Sequence, residues 1–135
     1  MKRHALAIAV SLVATTVAFA QSVETKVTPA FRQIIPNIPG KSLAAAVVEY
    51  APGAKSPSHR HANSAFIAAY VISGTVRSQV NDEPVKVYRA GESWFESPGA
   101  HHKVSENASA TEPARLIAIF VVDTDEKTLT TPDPK

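Results

Sequence analysis

His59 and His61, in the run His-Arg-His, and the adjacent pair His101 and His102 some forty residues later are the residues of this chain best suited to chemistry. Imidazole is the commonest protein ligand for transition metals. On a β-strand, residues two apart point to the same face. His59 and His61 therefore aim at one point while Arg60 turns away. A third imidazole from another strand fills a further corner of a coordination shell and leaves positions for water or substrate, as catalytic metal sites require. Only one of His101 and His102 can face the same way, because neighbours on a strand point in opposite directions. A lone His-x-His in a loop is ordinarily just solvated. Two such blocks, each at the mouth of an expected strand, favour a metal. Glu96, shortly before the second block, is a candidate acid to join it; the plainer reading of it is a solvated acid at a strand end.

Other chemistries are excluded by what the chain lacks. There is no cysteine, hence no thiolate nucleophile, no cysteine-based zinc or iron–sulfur site and no disulfide. No glycine-rich phosphate loop or G-x-S-x-G elbow occurs. Ser56 and Ser58 lie near His59, but no matching buried acid is evident for a serine triad.

The elements that must carry the histidines are short strands. Leu43 to Tyr50 (LAAAVVEY) reads as a first core strand, ended by Pro52-Gly53. Phe66 to Ile72 is rich in strand formers and stops at Ser73-Gly74. Thr75 to Val80 alternates, with Val76, Ser78 and Val80 on one side, the period of a half-buried strand. Asn81-Asp82 signals a turn, and Val85 and Val87 continue the alternation into a hairpin. Trp94 and Phe95 fall in another short strand and read as core. Tyr70 and Gln79 are candidates to line an interior. Arg115 to Val122 (RLIAIFVV) is a continuous apolar run, expected of a strand buried on both faces. Short strands spaced by turns, with no helical periodicity, indicate an all-β sandwich or barrel.

The N-terminus reads as an export signal. Lys2 and Arg3 precede an uncharged apolar stretch from Ala5 to Phe19, which closes with Ala18-Phe19-Ala20 before Gln21. This is the layout of a cleavable leader, with the cut between Ala20 and Gln21. The stretch is shorter than the roughly twenty residues a spanning helix needs. The expected division is a signal peptide over 1–20, an N-terminal arm or edge segment over 21–42 interrupted by Pro29, Pro36 and Pro39, a barrel over 43–122 and a C-terminal tail over 123–135. Of 14 Lys and Arg against 12 Asp and Glu, two cations leave with the leader, so 12 face 12. A neutral chain without a basic cluster argues against nucleic acid, and against membrane association after cleavage. A periplasmic or secreted location in a bacterium is expected. The core of so short a chain is modest, which leaves a homodimer through an edge strand open.

The two histidine blocks and their glycines resemble the two motifs of the cupins, a family of small double-stranded β-helix (jelly-roll) barrels. The first motif corresponds to Gly53, the five residues to Ser58, His59-Arg60-His61 and, further on, Gly74. The second corresponds to Gly91, then Ser97-Pro98-Gly99, then His102, with Asn107 one residue late. The resemblance runs from about Leu43 to Val122 and implies metal ligands at His59, His61 and His102, with His101 as the alternate for the last. The glutamate that the family places near Ile67 is missing. Three readings follow: a three-histidine site with open positions, a substitute acid such as Glu96, or a binding barrel whose metal site has decayed.

The resemblance implies one divalent ion (iron, manganese, nickel or zinc) and a small organic molecule as substrate or ligand. It spans dioxygenases, decarboxylases and isomerases as well as non-catalytic binders, so the fold alone does not choose the reaction. The leading expectation is a metal-dependent enzyme, dioxygenase-like or isomerase/decarboxylase-like; the alternative is a non-catalytic small-ligand-binding or sensing protein with a partial metal site.

Overall fold

The structure, a computed structural model, describes residues 24–135. The expected leader over 1–20 and the expected cleavage point between Ala20 and Gln21 lie outside the described residues. The described chain is all β: β1 (Thr25–Ile34), β2 (Lys41–Tyr50), β3 (His59–His61), β4 (Phe66–Ser73), β5 (Thr75–Val80), β6 (Lys86–Arg89), β7 (Ser93–Glu96), β8 (His101–Asn107), β9 (Ala114–Asp123) and β10 (Thr130–Pro132). They form two five-stranded antiparallel sheets, in the orders β1-β2-β9-β4-β7 and β10-β3-β8-β5-β6.

Both segments that flank the expected barrel contribute strands. Residues 25–34, read as part of an arm or edge segment, form the ten-residue edge strand β1 against β2. Pro29 sits beside a register shift between Pro29 and Phe31. Proline has no N–H for a ladder, and an edge strand with a bulge is where a sheet accepts it. At the other end, β10 pairs with the histidine strand, placing Thr130 opposite His61 and Pro132 opposite His59.

The core lies on the facing sides of the two sheets. Tyr50, Val71, Val76, Trp94 and Leu116 belong to one buried cluster. Ala44, Ala65, Ile67, Phe120 and Val122 form a second, nearer the histidines. The β9 run is not buried on both faces: Leu116, Phe120 and Val122 are buried, whereas Ile117, Ile119 and Val121 are half-buried. The outer face of this sheet accounts for the difference. It also carries exposed Phe66, Tyr70, Ile72 and Phe95, with the Phe66 and Phe95 rings stacked at 6.1 Å.

Strand alternation corrects three expectations on the same ground. Trp94 is buried, but Phe95, its neighbour on β7, is 64% exposed and not core. Tyr70 points outward from β4, and Gln79 donates through its amide to the Glu83 carbonyl in the hairpin turn, so neither lines the interior. Val85 and Val87 are exposed, while Tyr88, opposite Val76, packs on Trp94. A period of two does not survive the intervening turn, where Asn81 takes a positive φ of 52°.

Two glycines hold the frame around the histidines. Gly74 (φ 73°) joins β4 to β5, where a Cβ would run into the Pro113 carbonyl oxygen. Gly99 (φ 72°) turns the chain into β8 against Asn63, whose Oδ1 would lie 2.7 Å from an added Cβ. Both positions combine a left-handed backbone with no room for a side chain.

Candidate metal centre

Strand pairing brings the two histidine blocks together. β3 and β8 run antiparallel with His59 opposite His102 and Arg60 opposite His101. Cross-strand partners share a face, so His59, His61 and His102 point between the sheets while Arg60 and His101 point out. The ring centroids of His59 lie 4.8 Å from those of His61 and 5.1 Å from those of His102. One donor nitrogen from each of the three lies within 4.8 Å of the other two.

His101 is committed elsewhere. Its Nε2 lies 2.7 Å from Asp133 Oδ2 and 3.1 Å from Ser58 Oγ, outside the donor group. This contact ties the C-terminal segment to the outer side of β3.

The partners of each ring decide which nitrogen is free. His59 Nδ1 donates to the Pro57 carbonyl at 2.7 Å, which leaves Nε2 with its lone pair. His61 Nδ1 lies 3.3 Å from the Leu129 carbonyl and 3.3 Å from Thr130 Oγ1, which likewise leaves Nε2 free. Such carbonyl contacts fix tautomer and ring orientation, as outer partners of metal-bound imidazoles do. His102 is held from both sides, with Nε2 2.9 Å from Ser78 Oγ and Nδ1 3.3 Å from Glu96 Oε1. A hydroxyl both donates and accepts, so Ser78 serves either tautomer.

Glu96, the candidate substitute acid, is buried beside the histidines and not solvated at a strand end. It stands on β7 directly opposite Ile67 of β4, the position where the first motif lacks its glutamate. The two side chains share a face, so Glu96 delivers a carboxylate beside the place the missing one would occupy. It is 2% exposed. Oε1 accepts from Trp94 Nε1 at 3.0 Å. Oε2 lies 3.2 Å from His61 Nε2 yet has no hydrogen-bond partner. Two lone-pair donors facing each other across a buried gap are costly unless a proton or a cation lies between them. The residues present thus fit a divalent cation.

Titration favours the same state. Burial pushes His59 below its ordinary value against the opposing Pro57 carbonyl. Burial also takes His102 down to about 4, outweighing the nearby Glu96 charge. For Glu96 burial acts upward, but contact with His61, the neighbouring His102 and His61 rings and the Trp94 N–H prevail, and the carboxyl lies below its ordinary range. At neutral pH His59 and His102 are therefore unprotonated and Glu96 is ionised, the forms that bind metal.

A cavity of about 460 Å³ opens from this cluster between the sheets. Its walls include residues that spacing arguments did not reach: Val27 and Phe31 from β1, Tyr50 from β2, and Leu129, Thr130 and Pro132 from the C-terminal segment. Tyr50 Oη bonds Ser105 Oγ at 2.7 Å and Ser56 Oγ at 3.0 Å, and burial raises its hydroxyl. The signal for Glu96 was present in the sequence, since it shares the strand face of buried Trp94 two residues away. Nothing in the composition of residues 123–135 marked them as part of the wall.

Comparison with known proteins agrees with this geometry. The model of the cupin domain matches residues 46–120. No curated protein matches the chain. Among solved structures, it is similar to an uncharacterized conserved protein with a double-stranded β-helix domain from Klebsiella pneumoniae, with a TM-score of 0.64 and 18% identity over 85% of this chain and 89% of that one. An oxalate oxidase bound to the substrate analogue glycolate gives a TM-score of 0.59 and 22% identity, over 76% of this chain and 53% of that one. A mutant of oxalate decarboxylase from Bacillus subtilis gives 0.57 and 28%, over 67% of this chain but 23% of that one. The chain thus spans about half of the oxidase and under a quarter of the decarboxylase.

Proposed function

We propose that this chain, which belongs to the cupin domain family, is exported by its leader to the periplasm or beyond, holds one divalent metal ion and acts as a metal-dependent enzyme on a small organic molecule. His59, His61 and His102 supply the neutral donors, and Glu96 supplies the carboxylate that the first motif lacks. The observation that carries this reading is the buried Glu96 Oε2, without a hydrogen-bond partner 3.2 Å from the free Nε2 of His61. A bound ion of this kind offers Lewis-acid or redox chemistry toward substrate oxygen atoms.

The chain's own residues then have defined tasks. The Pro57 and Leu129 carbonyls hold the Nδ1 protons of His59 and His61. Trp94 keeps Glu96 oriented through Oε1, leaving Oε2 for the ion. Phe120, whose ring lies 5.8 Å from that of His61, shields the cluster from water on the core side.

Elemental analysis of the protein purified from the periplasm, beside the double variant His59→Ala/His61→Ala, tests the reading. Near-stoichiometric metal is expected in the native protein and none in the variant. Absence of metal from the native protein, even after reconstitution with iron, manganese, nickel and zinc, overturns it. A non-catalytic ligand-binding protein is the second reading. It is favoured by the cavity wall, where beyond the cluster and the Tyr50–Ser56–Ser105 hydroxyls few groups are able to move a proton. Tight ligand binding without turnover by the metal-loaded protein would establish it.

A further inference from the structure

The cavity carries information about what the site accepts, beyond the presence of a metal. The sheet opposite the histidines presents a row of small side chains. Ala46 of β2 is opposite Ala118 of β9, Ala118 is opposite Ala69 of β4, and Ala69 is opposite Trp94 of β7. All four line the cavity. Three methyl groups on adjacent strands make a shallow, flat floor, and the Trp94 ring closes one end of it. The next row, nearer the cluster, runs through Phe120 and Ile67 to Glu96. The floor is thus apolar up to the carboxylate, where the donor groups begin.

Charge is equally one-sided. Arg32 is the only Lys or Arg among the residues that line the cavity. Its Nη2 is already shared by the carbonyls of Asp123, Thr124 and Glu126, at 3.1, 3.2 and 2.8 Å. Arg32 is exposed on the edge strand β1, so the buried part of the cavity away from the cluster holds no cation for an acidic group, and a buried carboxylate without a partner is strongly disfavoured there. At about 460 Å³ the cavity falls within the roughly 300–1,000 Å³ of pockets that enclose drug-sized, mostly apolar molecules.

We propose that the site takes a planar, largely apolar molecule, of the size of one or two fused rings, with its oxygen substituents confined to one end, and that it prefers such a molecule to short dicarboxylates. The oxygen end lies at the His59, His61 and His102 cluster. The ring body lies on the Ala46–Ala118–Ala69 floor against Trp94. This assignment rests on the metal-site reading for its oxygen end only; the apolar body is recognised by the floor alone.

Three probes separate the two parts: 2-naphthol with chelator-treated protein, and 2,3-dihydroxynaphthalene and oxalate with zinc-loaded protein. Zinc keeps the measurement free of redox turnover. Binding is read by calorimetry and by fluorescence of Trp94, the sole tryptophan of the chain. The expected result is saturable 2-naphthol binding without metal, and tighter binding of dihydroxynaphthalene than of oxalate with zinc. Ala118→Leu should weaken both naphthalenes by about tenfold or more, the lower end of what a few misplaced carbons cost in an apolar pocket, with zinc content unchanged. Should Ala118→Leu fail to fold, Ala46→Leu makes the same test at the other end of the row.

Failure of 2-naphthol to bind metal-free protein overturns the proposal, as does oxalate binding tighter than that of dihydroxynaphthalene. Naphthol binding by a protein that takes up none of iron, manganese, nickel and zinc upholds the apolar class and defeats the metal reading instead.

Discussion

The two sheets contribute opposite chemistry to the same cavity. From the sheet of β10, β3, β8, β5 and β6 come the polar groups: His59, His61 and His102, Ser105, and Ser78 behind His102. From the sheet of β1, β2, β9, β4 and β7 come alkyl and aromatic groups, with Glu96 the acidic exception and Tyr50 tied back to Ser105. The contrast teaches that one wall selects the ion and the other selects the body of the ligand. Glu96 matters because it is the buried charged donor of a wall whose other charged group, Arg32, is exposed, and it stands on the edge strand β7 opposite the position where the motif glutamate is absent.

The contrast is broken most severely at His102, the donor from β8. His102→Ala should lower metal affinity by more than the 10–100-fold typical of an outer partner, measured by competition with a chelating dye.

Acid should act next most strongly, on the metal-free protein. His102 moves from an ordinary 6.5 to about 4 on folding. The unfolded chain therefore binds the extra proton first, and stability falls as pH drops through 6.5 toward 4. The loss is on the order of 3 kcal/mol. Glu96, held below its ordinary range, adds a loss of the same sign as pH falls through its folded value. Thermal unfolding from pH 7 to pH 4 should show the decline, and His102→Ala should flatten it.

Glu96→Gln keeps the shape and removes the charge. Metal affinity should fall by about 10–100-fold, the scale on which removal of a partner to the site is felt. Adding Ile67→Glu, on the same face and directly across the strand pair, should recover part of it. Native affinity in Glu96→Gln would leave the apolar wall with no part in holding the ion. The smallest effect is expected from Ser78→Ala, which removes the contact to His102 Nε2 and should cost about tenfold in the same dye assay.

Much of the fold was legible along the chain. The runs that begin at Leu43, Phe66, Thr75 and Arg115 fall within β2, β4, β5 and β9, because period two and turn residues are local properties. Where legibility failed, the missing information was which side of a sheet is covered. Phe95 and Tyr70 are strand formers by type, but they point to the outer face. The β9 run appeared doubly buried because apolar side chains on an uncovered face look the same in sequence as those in a core.

The sequence by itself determined the class of fold, the absence of sulfur chemistry and the pairing of His59 with His61 on one face, since each follows from composition or from alternation along one strand. Only the tertiary structure decided that His102 faces the cluster while His101 turns to Asp133, because that choice depends on the register of β8 against β3. It also decided the place of Glu96 and the alanine floor. Both are rows that run across strands distant in sequence, and side chains that meet across a sheet have no fixed spacing along the chain.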